Sequence, residues 1–308
     1  FHRGPHQLTP GRPAACGPPL ARRNRLSSQE RAPVDWAALS YTALSEDLAD
    51  DQRWSTWRSV DRGSRGAKPR PGWLVTSDAA LDTELGLLKT GKEADVFLLE
   101  RAVPGAESCL LAAKRYRAAD HRLFRRASSY TEGRRGRDSR ENRAVRLKSD
   151  FGRQIEAVRW SQAEFVTLKR LWSAGVRVPY PVQVDGGEVL MEFIGQGRTA
   201  APRLAQCDPN LDQLRWLWAQ VVEALIRFGE LQLVHGDMSP FNVLVRGMEG
   251  PEPELVIIDV PQVLDLVSNP NGVDFLQRDC RTMAEWFVRK GLPVEADVLL
   301  AEVLAAAW

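Results

Sequence analysis

Between Leu233 and Val245 two apolar runs enclose a polar cluster made of His235, Gly236, Asp237, Ser239 and Asn242. Polar groups in such a setting cost free energy unless they are hydrogen-bonded, paired or bound to a ligand. Asp237 and Asn242 stand five residues apart, and a second acid, Asp259, ends the apolar run from Leu255 to Ile258. The amide oxygen of Asn242 and the carboxylate of Asp259 are hard oxygen donors of the kind Mg²⁺ prefers. Asp237 beside them would serve as a base or as an orienting group for a hydroxyl. The chemistry implied is transfer of a charged group whose charge a cation offsets.

The order H-x-D-x-x-x-x-N followed by apolar, apolar, Asp resembles the catalytic half of the protein-kinase-like fold. A site of that kind also needs a cation on the nucleotide phosphates and an acid to hold that cation. Lys114 closes the apolar run Leu110 to Ala113 and fits the first role, a point charge on a flexible stem. Glu164, on the polar side of a helical stretch, fits the second. Upstream, the loop over the phosphates should be glycine-rich, yet its equivalent, Lys89 to Val96, has the single glycine Gly91. Alone, that loop carries no nucleotide signature.

Taken together these residues resemble the RIO family of atypical protein kinases, and more closely its bacterial members. The family's phosphate loop S/T-G-K-E-A-x-V is matched by Thr90 to Val96, and its helix motif W-x-x-x-E by Trp160 and Glu164. Its connector M-E-F-I-G is matched by Met191 to Gly195, its A-P-R-L by Ala201 to Leu204, and its F-L-x-x-D-C by Phe275 to Cys280. The resemblance covers Leu74 to Lys290 and implies ATP as cofactor, with Mg²⁺, or Mn²⁺ in its place. It implies Lys114 and Glu164 as an ion pair, Lys114, Asp237 and Asn242 as catalytic, and Asn242 and Asp259 as metal ligands. Thr90, Gly91, Lys92 and Val96 would cover the nucleotide, Met191 would back its pocket, and backbone groups of Glu192 and Ile194 would bind adenine.

The activity implied is that of a RIO-type serine/threonine protein kinase, or of an ATPase that passes through a phosphorylated Asp259. The acceptor would be a protein Ser/Thr hydroxyl or the chain itself, and the setting ribosome-related assembly. Val260 and Pro261 stand where ordinary kinases have Phe-Gly, and no A-P-E follows, so peptide docking of the ordinary kinase kind is not expected. His235-Gly236-Asp237 is also similar to small-molecule phosphotransferases of the aminoglycoside and choline kinase type, which form the alternative reading. A further alternative is an ATP-dependent assembly factor with little kinase activity.

At 308 residues the chain has length for one large domain or two lobes, and 44% hydrophobic with 27% charged content is ordinary for a globular protein. A net charge of +2 points to no nucleic-acid or membrane partner by itself. Cys16, Cys109, Cys207 and Cys280 lack the spacing of a zinc site and are read as reduced thiols of a cytoplasmic protein. No stretch reaches the ~20 apolar residues of a membrane span.

The elements that must position the site follow from texture. Residues 1–33 are Pro-, Gly- and Arg-rich and read as a disordered tail, and 34–73 as a helical extension, with helical character over Val34 to Arg58, followed by a linker. From 74 to 194 short β-like runs at Leu87 to Leu88, Val96 to Leu99 and Leu110 to Tyr116 predict a β-rich lobe. Helical periodicity at Ile155 to Trp172 and a strand pair near Val182 to Val184 and Val189 to Phe193 complete it. Within it, Arg117 to Lys148 holds eleven Arg or Lys against four acids and is expected to be a mobile basic loop. That loop is either a solvated segment or a contact for ribosomal RNA or a ribosomal particle. Residues 195–308 read as a mainly helical lobe, with amphipathic stretches at Leu211 to Leu231 and Phe275 to Lys290. The fold class expected is α+β: a two-lobed, protein-kinase-like fold with a β-rich N-lobe and a mainly helical C-lobe.

Overall fold

The structure, a computed structural model, describes residues 48–117 and 150–308, without side chains at 150–153. The expected tail over 1–33, the expected helix as far as residue 47 and the basic segment from 118 to 148 lie outside the described residues.

Six strands make one antiparallel sheet: β1 (Gln52–Trp54), β2 (Leu81–Thr90), β3 (Ala94–Ala102), β4 (Ser108–Tyr116), β5 (Pro181–Asp185) and β6 (Glu188–Glu192). Their spatial order is β1-β2-β3-β4-β6-β5. Side chains alternate along each strand, so β4 sends Cys109, Leu111 and Ala113 to one face, where they are buried with Leu99, Val182 and Leu190. Ala112 faces the other way, into the core shared with helix α1 (Asp150–Ser173). Lys114 follows on that same inner face. Helix α1 packs there through Ala157, Ser161, Glu164, Phe165, Leu168 and Leu171, buried positions recurring at the three- to four-residue helical spacing.

The expectation of a helical extension and linker over 34–73 does not hold where it is described. Gln52–Trp54 is a strand paired with Leu81–Thr83 of β2. The chain then runs over the outer face of the sheet as a strap, on which Trp57, Leu74 and Val75 are buried. Gly66 donates its N–H to the Val182 carbonyl at 2.8 Å, at the opposite edge. The physical reason is burial: the outer face formed by Leu99, Leu111, Ala113 and Leu190 is apolar and needs a cover. Beneath the strap, Arg101 is fully buried and held by two bonds to Asp82, at 2.6 and 2.9 Å.

Phe193, Ile194 and Gly195 carry the chain into the second lobe. A Cβ at Gly195 would lie 2.2 Å from the Thr199 carbonyl and against the Phe193 ring, so only glycine fits the small hairpin of β7 (Gly195–Gln196) and β8 (Thr199–Ala200). Helix α2 (Leu211–Glu230) begins at an Asn210–Gln213 capping box and buries Leu214, Leu217, Val221, Leu225 and Phe228. It is followed by β9 (Leu233–Val234), β10 (Val243–Arg246), β11 (Glu254–Ile257) and β12 (Leu264–Asp265). β10 pairs with β11, and β12 with β9. Helices α3 (Gly272–Arg289) and α4 (Ala296–Ala307) complete the lobe. The fold is the α+β, two-lobed kinase-like class expected from the sequence. An ion pair from Arg246 on β10 to Glu192 on β6, at 2.8 Å, ties the lobes behind the connector. Among the described residues no helix is long and apolar enough to cross a membrane.

Candidate active site

Strand β4 and helix α1 meet at Lys114. Its ammonium lies 2.7 Å from Glu164 Oε1 and 2.9 Å from Asp259 Oδ1. Burial alone would lower the Lys114 pKa, but the carboxylates of Glu164 and Asp259 outweigh it and hold it well above the usual lysine range. Lys114 in turn keeps the Asp259 carboxyl below its ordinary value against the opposing effect of burial. Both groups are therefore ionised at neutral pH. Glu164 is 1% exposed, and its second oxygen is taken by the Tyr116 hydroxyl, which donates to Oε2 at 2.5 Å. Burial, then the neighbouring Glu164 charge, raises the Tyr116 pKa and keeps its proton in place.

The polar cluster from His235 to Asn242 is the loop between β9 and β10. His235 is fully buried; its Nε2 lies 3.2 Å from the Ile258 carbonyl, and the Asp237 N–H donates to Nδ1 at 3.3 Å. A carbonyl can only accept, so Nε2 carries the proton and the ring is neutral, in keeping with burial lowering its pKa. Gly236 has φ 82°, in the left-handed region that favours glycine. Its N–H and that of Met238 donate to the two oxygens of Asp279 on α3, at 2.7 and 3.0 Å, while Arg278 donates to its carbonyl. Asp237, between these two residues, is thus held from below while its own carboxylate is exposed.

The Asn242 amide donates to the Asp237 carbonyl at 2.9 Å and to Asp237 Oδ2 at 3.1 Å. Using the nitrogen in this way leaves the Asn242 oxygen as the free end of the side chain. Asp259 sits at φ 64°, a left-handed turn just past β11 that brings its carboxylate to Lys114. Among the described residues no three His, Cys, Asp or Glu gather to hold a metal. One amide oxygen and one ionised carboxylate instead suit a cation such as Mg²⁺, which keeps most of its shell for water and phosphate.

The remaining candidates line the sheet and the connector. Thr90, Gly91 and Lys92 form the turn of the β2–β3 hairpin, closed by the Gly91 N–H on the Ala94 carbonyl at 2.9 Å. Val96 stands in register between Lys89 and Lys114. Met191 pairs with Ala112 and is buried in the core. The Glu192 side chain turns to Arg246 and to the Tyr180 N–H, and its own N–H donates to the Tyr180 carbonyl at 2.9 Å, so neither its side chain nor its N–H is available to a ligand in the cleft. Ile194 is buried, and its carbonyl accepts the Ala201 N–H at 2.9 Å. The single basic-segment residue described, Arg117, pairs with Asp95 and donates its N–H to the Glu93 carbonyl, tying the root of that segment to the β2–β3 hairpin.

Four residues of the cluster have no role in the sequence reading. Tyr116 gave no signal beyond strand alternation, and Asp279 appeared only as a letter in the F-L-x-x-D-C match. Gln262 donates to Asp237 Oδ2 at 3.4 Å. Glu93 is raised by burial and by the neighbouring Asp259 charge, which places it near the acids of the cleft.

A β-rich lobe and a helical lobe that bring a lysine–glutamate pair against two acids and an asparagine define a kinase-like protein. The RIO domain model matches residues 106–299. A RIO-type serine/threonine-protein kinase Rio1 of Haloferax volcanii is 34% identical over 229 residues, which are 74% of this chain and 71% of that protein. Serine/threonine-protein kinase RIO1 of Caenorhabditis elegans is 30% identical over 287 residues, 93% of this chain, and the chain spans about half, 52%, of its length. The Rio2 kinase of Chaetomium thermophilum, solved as an ADP/Mg²⁺-phosphoaspartate complex, aligns at 20% identity with a TM-score of 0.48, over 72% of this chain and 65% of that one. The chain belongs to the RIO family of serine/threonine-protein kinases.

Proposed function

We propose that the chain transfers the γ-phosphoryl group of ATP, with Mg²⁺, to a Ser/Thr hydroxyl of a protein acceptor or of the chain itself. The observation that carries this reading is Lys114, an ammonium held between Glu164 and Asp259 at the inner face of the sheet. Glu164 and Tyr116 fix that ammonium so that it meets the nucleotide phosphates. Asn242 and Asp259 hold the cation, which when bound offsets negative charge on the phosphates. Asp237 takes the proton of the attacking hydroxyl. Met191, Val96 and the backbone of Glu192 and Ile194 enclose adenine, and Thr90, Gly91 and Lys92 close over the phosphates. Nothing in the donor set favours Mn²⁺ over Mg²⁺.

The acceptor side supports a macromolecule over a small molecule. Asp237 is exposed, and beside it Phe241 is 62% exposed, so the described residues leave the base in the open rather than in an enclosed acceptor pocket. Aminoglycosides and choline should therefore not stimulate ADP release. Ribosomal RNA or a ribosomal particle is the partner proposed for the basic segment, on its charge balance alone.

Asp259 favours a second route, since it is an ionised carboxylate beside the phosphate-binding lysine with only Oδ1 engaged. In that route it accepts the phosphoryl group itself and the protein acts as an ATPase. Incubation with γ-labelled ATP tests both. Acid-stable label means Ser or Thr, hydroxylamine-labile label means the aspartyl phosphate, and absence of labelled protein and of ADP would end both readings.

A further inference from the structure

Lys89 has no task in the site described so far. It stands in a row across the sheet: Lys89 on β2 pairs with Val96 on β3, Val96 with Lys114 on β4, and Lys114 with Val189 on β6. Residues directly opposite one another in an antiparallel sheet share a face. Val96 packs on the core under the inner face, so Lys89 projects from the same face as Lys114, over the cleft. Two strand spacings put these lysines about 10 Å apart. On the other lobe Arg203 is tied to the loop that carries Asp237 and Asn242. Its backbone bridges to Leu244 on β10, and its guanidinium donates to the carbonyl of Phe241, the residue before Asn242.

Lys89 and Arg203 are charged neighbours across the cleft. Partial burial and then the Arg203 charge lower the Lys89 pKa, an effect that Asp259 opposes and Lys114 reinforces. Lys114 is paired with Glu164 and Asp259, whereas among the described residues neither Lys89 nor Arg203 forms an ion pair. Two like charges brought together without an acid between them repel, and an anion placed there turns that cost into attraction. An ammonium and a guanidinium suit a phosphate, the first as a point charge and the second through its fork of N–H groups. The row across the sheet also says which phosphate. Adenine is placed at the connector beyond β6, Lys114 lies on β4, and Lys89 lies two strands further on. The far end of the nucleotide on that line is the γ-phosphate.

We infer that Lys89 and Arg203 form a clamp, one jaw on each lobe, that binds the γ-phosphate of ATP and so sets the preference of the site for ATP over ADP. The inference rests on the phosphoryl-transfer reading and deepens it by assigning the residues that tell the substrate nucleotide from the product. Transfer to a Ser/Thr hydroxyl and transfer to Asp259 both begin from that phosphate, so the clamp serves either route. Once the phosphoryl group has left, ADP offers the clamp nothing to hold.

The test is Lys89→Met and, separately, Arg203→Met in the full chain, with the non-hydrolysable ATP analogue AMP-PNP and ADP as probes. Each is titrated with Mg²⁺ in competition with a fluorescent nucleotide. Either variant should weaken AMP-PNP about tenfold, as expected for one lost charge-assisted contact, and leave ADP within about twofold. Lys89→Arg, which keeps the charge, should retain the wild-type preference. A merely structural role would move both nucleotides together. Equal loss of the two affinities, or an unchanged ratio in both Met variants, overturns the clamp. A wild-type chain that binds both nucleotides and turns over no ATP overturns the phosphoryl-transfer reading instead, and the ratio of affinities still decides the clamp.

Discussion

Replacing Asp279 with Asn tests whether the turn that carries Asp237 is held from below. Its two oxygens take the N–H groups of Gly236 and Met238 in a site that is 1% exposed. An amide has one oxygen, so in Asp279→Asn one of those N–H groups faces an NH₂ donor where no water reaches it. An unmade buried hydrogen bond costs about 1–3 kcal/mol. Asp237 lies between the two released residues, and a shift of about 1 Å at a reacting group costs on the order of a hundredfold in rate. ATP affinity should hold, because Asp279 touches neither Lys114 nor Asn242 and Asp259, the residues proposed to hold the cation.

The same residue gives stability a pH dependence. Burial raises the Asp279 carboxyl from 3.8 to about 7. Between these values the folded chain binds a proton that the unfolded chain does not, so stability is highest at the acid end and falls as pH rises through the window. For a shift of this size the loss between pH 5 and 8 is about 2–3 kcal/mol, and Asp279→Asn, with nothing to titrate there, should lack it. Urea unfolding from pH 5 to 8, with turnover at saturating ATP, reads both effects. Turnover within about twofold of wild type, or parallel pH slopes for the two proteins, refutes the reasoning.

Lys114→Met leaves Glu164 buried with one oxygen unpaired and Asp259 without its cation; stability should fall by about 3 kcal/mol and turnover should vanish, checked by thermal melting and phosphate release. Asp237→Asn should reduce transfer at least about a hundredfold with nucleotide affinity within about tenfold, whereas Asp259→Asn should weaken Mg²⁺-dependent binding itself, both read by fluorescent-nucleotide titration. In the basic segment, Arg134, Arg135 and Arg137 changed together to Ser should flatten the salt dependence of RNA affinity without altering ATP affinity, and an unchanged slope would leave that segment a solvated one.

Local chemistry was legible in the sequence; contacts set by topology were not. Asp237, Asn242 and Asp259 could be singled out as candidates because one short loop and one hairpin carry them, and Lys114 because it closes a strongly apolar strand. The basic segment's length between Lys114 and Glu164 hid nothing, since α1 restores a clear helical period beyond it. By contrast, the strand Gln52–Trp54 is three residues long, and its partner Leu81–Thr83 lies some thirty positions away. No local pattern of that length specifies pairing, and the stretch from Val34 to Arg58 reads instead as a helix.

Tyr116, Gln262 and Asp279 escaped for a related reason: each acts on a residue already recognised, from another element. Tyr116 alternates correctly for a strand and Asp279 falls on the buried side of α3, where sequence alone offers only a costly buried acid. What turns that cost into a function is the pair of N–H groups in the loop between β9 and β10, which exist as free donors only because Gly236 adopts φ 82°. The site is therefore built in two layers. One is a set of residues whose types announce chemistry, and the other a set of ordinary residues, on α3, at the end of β4 and in the turn after Asp259, that give those types their geometry. Because the second layer reaches Asp237 through Asp279 and Gln262, and Lys114 through Tyr116 and Glu164, changes in it should separate rate from nucleotide binding on the Asp237 side and couple them on the Lys114 side.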